Sequence, residues 1–373
     1  MKIAYVLPFK INTYGYEEQE FLETHFSIQI AQKMKQRGLE VEIHIFSNEK
    51  KVVFFKGIEV YFHKVSFKIF LNYDFFDFSL SFLFHRFDSK TIIHFHEPLR
   101  LFFLFFKLFN LKRIIILEHH GNGVFNLDFG QGYILSFFYS LYKSLFLKRI
   151  INNSNFLIVK TDYAKLKMIE FGINPSMIRV IGNAVSLSTN VNLKKNRIQR
   201  VDKKHIIFGF AGRVNRLKGI EQLIKAFDLL SQTNSNVELR IAGPLENDSY
   251  YDLVKPYWVG FLDKKNLISF YKNIDVFIFP TWSESFGISL LEAASYYLPI
   301  ISSKEIHINE LLKSDQVEWL NEITYLDILK KMKRCLSADV RLKMINADNF
   351  WISEKYSSKI IMDQYLNLYI IGD

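Results

Sequence analysis

The 373-residue chain has a single cysteine, Cys335. Neither an intramolecular disulfide nor a thiolate metal cluster can form within it, which points to a reducing compartment. Long apolar runs are also missing. A transmembrane helix needs about 18 consecutive apolar residues, whereas the longest mostly apolar, uncharged stretch, Phe129 to Tyr142, has 14 and is broken by Gly130, Gln131 and Gly132. No span is expected. Met1-Lys2 leads into a short apolar run stopped by Pro8, the pattern of a first strand rather than a secretory signal. There is no long basic run, no zinc-ligand spacing and no ribonucleoprotein aromatic motif, so no nucleic acid partner is expected despite a net charge of +10.

Hydrophobic residues make up 49% and charged residues 23%, near the globular average, which excludes wholesale disorder. The length exceeds what one core usually supports, so two domains are expected. Phenylalanine is in excess and unevenly placed: 28 of 37 lie in residues 1–185, which also carry 23 basic against 16 acidic residues, +7 of the +10.

Short apolar runs alternate with longer amphipathic stretches, the pattern of parallel strands covered on both faces by helices. The fold class is therefore α/β. Strands are expected at Ile3–Leu7, Val41–Phe46, Ile92–Phe95, Ile114–Leu117, Phe156–Val159 and Ile178–Ile181. Leu22, Phe26, Ile30 and Met34 recur every fourth residue, marking a helix that ends with Lys33, Lys35 and Arg37 before Gly38. Residues 1–185 form the first domain. Ser186 to Lys204 is polar and aperiodic and reads as a linker. A second series follows over 205–350, with strands at Ile206–Phe210, Val237–Ala242, Val276–Phe279 and Pro299–Ser302, helices at about Ile220–Leu230, Lys264–Tyr271 and Ile288–Tyr296, and only helices after Glu305. Residues 351–373 read as a terminal helix that crosses back to the first domain.

Two segments carry chemistry. The strand Ile206–Phe210 breaks into Ala211-Gly212-Arg213-Val214-Asn215-Arg216-Leu217-Lys218-Gly219 before a helix. A strand, a glycine turn and a helix N-terminus aim backbone N–H groups at an anion, and Arg213 and Lys218 add two charges. A diphosphate fits there; a basic surface loop is the plainer alternative. After Val276–Phe279 comes Glu284-Ser285-Phe286-Gly287-Ile288-Ser289-Leu290-Leu291-Glu292. With a helix starting near Ser285, Glu292 lies about two turns in, and Phe286, Gly287 and Ile288 present N–H groups at its start. Carboxylates accept paired hydrogen bonds from vicinal hydroxyls, as on a sugar or ribose. A dipole-favouring Glu and a solvated Glu would give the same letters.

In this order the two segments resemble the family 4 retaining glycosyltransferases of the GT-B fold. Phe208 to Arg213 with Lys218-Gly219, Val237 to Pro244, Asn273 to Ala293 with Glu284 and Glu292, Leu298-Pro299 and Glu310-Leu311 match its pattern. So do Arg37 to Val41, Ile92 to His94 and Lys160 to Asn183 in the first half. The resemblance implies two Rossmann-like domains facing each other across a cleft. It implies that Gly212, Arg213 and Lys218 hold the diphosphate of a nucleotide sugar, that Glu292 binds the ribose, and that Glu284, with Phe286, Gly287 and Ile288, contacts the sugar. No cofactor and no metal are expected, in keeping with the absence of any Asp-x-Asp.

In the first domain, Ile114–Leu117 runs into Glu118-His119-His120-Gly121, where the family often places a cleft histidine; His120 is the choice over His119. His94 and His96, with His119 and His120, could suggest a metal cluster, but His94 is expected to point into the core and no partner carboxylate spacing is evident. The loop after the first strand, Tyr14-Gly15-Tyr16, has one glycine where the family usually has a pair. Leu101 to Arg113 and Tyr133 to Arg149 join aromatic-rich helices to basic ends, fitting either a buried core or an anionic membrane surface. The expected activity is sugar transfer to a glycan or lipid-linked acceptor, in the cytoplasm or at the inner face of its membrane. A non-catalytic partner subunit or a sugar-nucleotide epimerase of the same fold are the alternatives.

Overall fold

The computed structural model describes residues 1–10, 18–68, 77–97, 101–109, 114–121, 140–186, 192–304, 312 and 314–372. The expectations for Tyr14-Gly15-Tyr16, Lys112-Arg113, Glu310-Leu311 and most of Phe129 to Tyr142 lie outside these residues. Two compact units are present, Met1–Gly182 together with Ile361–Asp373, and Asn183–Ile360.

The first unit is built on β1 (Lys2–Lys10), β2 (Glu40–Ser47), β3 (Lys51–Phe55), β4 (Ile58–Lys64), β5 (Thr91–His96), β6 (Ile115–Glu118), β7 (Phe156–Val159) and β8 (Ile178–Val180). They form one sheet in the order β8-β7-β6-β5-β1-β2-β4-β3. All neighbours are parallel except the hairpin β3–β4. That hairpin was not expected. Its turn, Lys56-Gly57, has φ of 48° and 79°, the mirror-type turn usually announced by Asn-Gly. The first helical stretch breaks at His25, whose Nδ1 accepts the Ser27 N–H at 3.3 Å and caps α1 (Phe26–Gln36). Helix α2 (Leu101–Phe109) turns Phe102, Phe103 and Phe106 into a core shared with Phe46, Phe82, Phe87 and Phe95. Much of the phenylalanine excess is therefore interior.

The second unit carries α3 (Leu193–Gln199), β9 (Ile206–Ala211), α4 (Ile220–Ser231), β10 (Val237–Ala242), β11 (Trp258–Gly260), α5 (Lys264–Asn273), β12 (Val276–Phe279), α6 (Ile288–Ser295), β13 (Ile300–Ser303) and β14 (Val317–Leu320). The sheet is wholly parallel, ordered β11-β10-β9-β12-β13-β14. Two expectations are corrected. The stretch after Glu305 contains a strand, β14, too short and too charged at Glu318 to read as one. The segment 186–204 is not merely a linker, because α3 docks through Arg197. Its buried guanidinium donates to the carbonyls of Ile274 at 3.0 Å, Tyr271 at 2.5 Å and Tyr296.

In each sheet the strand order reverses at one strand, β1 or β9, and open α/β sheets take ligands outside the carboxyl ends of strands at such a point. Among the described residues no helix is long and apolar enough to cross a membrane.

Candidate functional site

In the second unit the reversal lies between β9 and β12, so their outgoing loops define the site. The first loop is held by the last residues of β9 and β10. Gly212 N–H donates to the Ala242 carbonyl at 3.0 Å, and Val214 N–H to Pro244 at 2.9 Å. The Gly212 N–H is thus taken and is not offered to a phosphate. A single 3-10 turn, Arg216–Lys218, follows, capped by Asn215 Oδ1 on the Lys218 N–H at 3.0 Å. Gly219 then enters α4 at φ +68°, with the Pro280 carbonyl oxygen 2.1 Å from where a Cβ would stand. Only glycine fits, and the close approach locks the β9 loop onto the β12 loop. The Leu217 carbonyl completes the clasp, accepting the Trp282 N–H at 2.8 Å and the Thr281 hydroxyl at 3.1 Å.

The clasp brings Lys218 to Glu284. Lys218 Nζ donates to the Ser283 carbonyl at 2.9 Å and to Glu284 Oε2 at 2.8 Å. Glu284 Oε1 accepts the Ser285 N–H at 2.8 Å and the Phe286 N–H at 3.3 Å. Burial would raise the Glu284 carboxyl, but the Lys218 charge and these donors hold it below the ordinary value. Arg213 is half-buried nearby in sequence and, among the described residues, has no hydrogen-bond or ion-pair partner.

Helix α6 begins at Ile288, after Gly287 at φ +82°, and not near Ser285. Glu292 consequently lies one turn in, not two. The Phe286 N–H, expected to face a ligand, serves Glu284, and the Phe286 ring is buried. No side chain caps α6 at Gly287, so its first-turn N–H groups have no intrahelical acceptor and keep their positive end for an anion. Glu292 is 7% exposed and accepts the Tyr271 hydroxyl at 3.1 Å. Burial pushes its carboxyl up to about 7, against hydrogen bonds from Tyr271 and Ser186. Tyr271 and Ser186 were not anticipated; neither stands in a motif, and nothing in local spacing marks them.

In the first unit, β5 and β6 end at His96-Glu97 and Glu118-His119-His120. Glu118 is wholly buried and accepts from Lys160 Nζ and from the Tyr365 hydroxyl, the latter at 3.0 Å. It also lies 2.8 Å from His94 Nε2 and 3.3 Å from His120 Nε2. Burial opposes its ionisation, yet Lys160, His96 and His120 hold it well below the usual carboxylate range. His94 Nδ1 meets the Tyr369 hydroxyl at 2.7 Å, which in turn meets the Tyr5 hydroxyl at 2.9 Å. His119 is buried and lies 3.4 Å from Glu97 Oε2. Glu97, at φ +52°, also accepts the His120 N–H at 3.1 Å. A positive φ on a non-glycine residue stores strain, a feature that clusters at functional sites. His120 is the half-exposed member of the pair. Its Nε2 lies 3.3 Å from Glu118 Oε1 and 3.1 Å from His96 Nδ1, and burial lowers it to about 4, so the ring is neutral near pH 7.

Contrary to expectation, His94 and His96 do have a partner carboxylate. Glu118 joins them with ligand atoms within 4.8 Å of one another. Lys160 already supplies the positive charge, however, and a metal ion would have to displace a buried ammonium. The donor set does not favour a metal there. Glu118 and Lys160 carry a sequence signal in hindsight, each being a charge set at the carboxyl end of an unbroken apolar strand.

Residues 192–345 match the family model of glycosyl transferases group 1, and residues 25–189 that of glycosyltransferase family 4. The capsular polysaccharide biosynthesis glycosyltransferase CapM of Staphylococcus aureus is 25% identical over 187 residues, 48% of this chain and 49% of that protein. The chain spans about half the length of the curated relatives it matches. Among solved structures, sucrose-phosphate synthase from Thermosynechococcus elongatus superposes with a TM-score of 0.69 at 14% identity, covering 99% of this chain and 98% of that one. Anabaena HepE in complex with UDP and glucose gives 0.67 at 15% identity, covering 99% of each. These likenesses establish the GT-B fold. With its two halves matched in turn by group 1 and family 4 models, the chain belongs to the family 4 glycosyltransferases.

Proposed function

We propose that this chain transfers a sugar from a nucleoside diphosphate sugar to a glycan or lipid-linked saccharide acceptor, with retention of anomeric configuration and without an essential metal. The observation that carries the reading is the Lys218–Glu284 pair, 2.8 Å apart, held where the clasped β9 and β12 loops leave the sheet. Among the described residues Arg213, in the same loop, has no hydrogen-bond or ion-pair partner, and the uncapped end of α6 follows Glu284. The diphosphate takes Lys218, Arg213 and the N–H groups of Gly287 and Ile288, which stabilise charge as it develops on the departing diphosphate. A phosphate arriving at Lys218 draws the ammonium away from Glu284 and leaves that carboxylate to accept from a sugar hydroxyl. Glu292 takes the ribose hydroxyls. His120, neutral in the first unit, accepts a hydroxyl proton in a hydrogen bond.

The Anabaena neighbour holds UDP and glucose, which supports a nucleoside diphosphate hexose as donor. The Staphylococcus relative is named for capsular polysaccharide biosynthesis, which supports a cell-surface glycan as product. We place the enzyme in the cytoplasm and against the inner face of its membrane. Leu141, Leu145 and Phe146 are 43%, 48% and 49% exposed, next to exposed Lys148 and Arg149, and an apolar patch with a basic edge suits an anionic lipid surface. Co-sedimentation with anionic vesicles at low salt tests this part; indifference to them rejects it.

For the chemistry, Lys218→Ala and Glu284→Ala should each lower kcat by about 10²–10³-fold, the usual loss on deleting a group that stabilises developing charge. Thermal unfolding should stay near wild type. Turnover undiminished in both variants rejects the reading. An inverted anomeric proton coupling in the product, read by NMR, rejects retention, and loss of activity with a chelator rejects metal independence.

A further inference from the structure

His44 on β2, His63 on β4 and His85, which follows the short helix Leu80–Leu83, converge at one side of the first unit's sheet. None belongs to the site described above. In the parallel register His44 pairs with Tyr61 and Phe46 with His63, so His44 and His63 stand diagonally on the same face. Each of the three histidines offers one ring nitrogen, and these nitrogens lie within 4.8 Å of one another. His44 Nδ1 and His63 Nε2 are 2.9 Å apart. The outer nitrogens have their own neighbours. His44 Nε2 is 3.4 Å from Glu42 Oε1, while Lys2 holds Glu42 Oε2 at 2.7 Å, and His63 Nδ1 is 3.4 Å from Ser81 Oγ. Tyr61 stacks on His44 at 4.9 Å, and Phe82 and Phe87 wall it at 5.6 and 5.0 Å.

We propose that His44, His63 and His85 form a binding site for a divalent transition-metal ion of the zinc class, with a fourth coordination position open. Three imidazoles with no thiolate or inner carboxylate select zinc, copper or nickel over magnesium and calcium. A carboxylate and a hydroxyl behind the ligating rings form the outer shell that orients metal-bound histidines. Packing alone does not account for the arrangement. Aromatic filler needs no nitrogens facing one another, and His44 Nε2, though near Glu42, has no aligned hydrogen-bond partner.

The proton balance closes within the site. One proton bridges His44 and His63. On metal binding it moves to the outer nitrogen of the ring that holds it, toward Glu42 or Ser81, and none is released. Ligands at about 2.0–2.1 Å from zinc stand about 3.3 Å apart in a tetrahedron, so the two rings part by a few tenths of an ångström. His85, half-exposed, is the way in. Unlike Glu118 among the other histidines, no ammonium of the described residues forms a hydrogen bond or ion pair with these ligands; Lys2 sits behind, on Glu42, and Lys50 acts on His63 and His85 only through space.

The test uses the full chain, free of any polyhistidine tag and stripped by chelator. Titration with zinc chloride should fill one high-affinity site per chain and raise Tm. Cobalt(II) should give the intense visible bands of a four-coordinate ion. His85→Ala and His63→Gln should each weaken zinc by more than about 100-fold, beyond the 10–100-fold cost of an outer-shell loss, and Glu42→Gln by about 10-fold. His96→Gln, in the other histidine group, should bind as wild type. Zinc affinity unchanged in His85→Ala, or lost in His96→Gln instead, overturns the proposal. If His85→Ala fails to fold, the cobalt spectrum of the wild type decides, and absence of those bands is equally fatal.

Discussion

Glu292 is pulled two ways. The proposed ribose contact needs a carboxylate, yet burial raises this group to about 7. A carboxyl whose folded pKa lies above its unfolded value binds more protons when folded, so stability is greatest below about 4.5 and falls as pH climbs to about 7. A rise of that size is on the order of 3 kcal/mol. Glu292→Gln keeps the acceptor for Tyr271 and cannot ionise. Urea unfolding at pH 5 and pH 8 should show wild type losing about 2–3 kcal/mol more than the variant over that interval; parallel losses would mean that Glu292 does not titrate there. At this scale the sequence exposes Lys218, Glu284 and Glu292 because strand, glycine and helix follow one another in the chain. Tyr271 reaches Glu292 across 21 positions, Lys160 reaches Glu118 across 42 and Tyr365 reaches it across 247, while Ser186 also bonds Glu292, and no period or turn signal encodes such a partner.

Elements were legible where their burial imposes a period. β7 and β12 begin and end where unbroken apolar runs do, because a parallel strand covered on both faces favours apolar residues throughout. The helix at Leu193–Gln199 was not, since it docks through an arginine. Arg197 satisfies three carbonyls that close α5, the residue after it, and α6. It thereby holds the two helices that carry Tyr271 and Glu292. Arg197→Leu keeps the apolar stem and removes the donors. Each buried acceptor left unpartnered costs about 1–3 kcal/mol, so the second unit should lose at least about 3 kcal/mol in denaturant unfolding. Binding of a nucleoside diphosphate should weaken along with it. Stability within 1 kcal/mol of wild type would show that water replaces the guanidinium.

The whole chain divides its labour unevenly: apolar aromatics build the first unit, and the loops proposed to bind the diphosphate belong to the second. The last helix, Ser358–Gly372, crosses that division, because residues from Ile361 onward belong with the first unit. Tyr365 and Tyr369 are fully buried there, donating to Glu118 and contacting His94 and Tyr5. Truncation after Ile360 therefore strikes the far end of the chain's fold. Removing two buried aromatics costs about 3–5 kcal/mol each, and the Glu118, His94 and Tyr5 polar groups lose partners worth about 1–3 kcal/mol apiece. Together these approach or exceed the 5–15 kcal/mol that holds a typical domain. The first unit should melt well below its wild-type temperature or not fold at all. Among the described residues, the hydrogen bonds and ion pairs of Lys218, Glu284, Glu292 and Tyr271 involve none beyond Ile360, so affinity for a panel of nucleoside diphosphates should stay within about threefold, under 1 kcal/mol. Scanning calorimetry reads the first outcome and titration calorimetry the second. If melting and nucleotide affinity fall together, the two units share one cooperative core. If neither falls, the Tyr365–Glu118 network does not support the first unit.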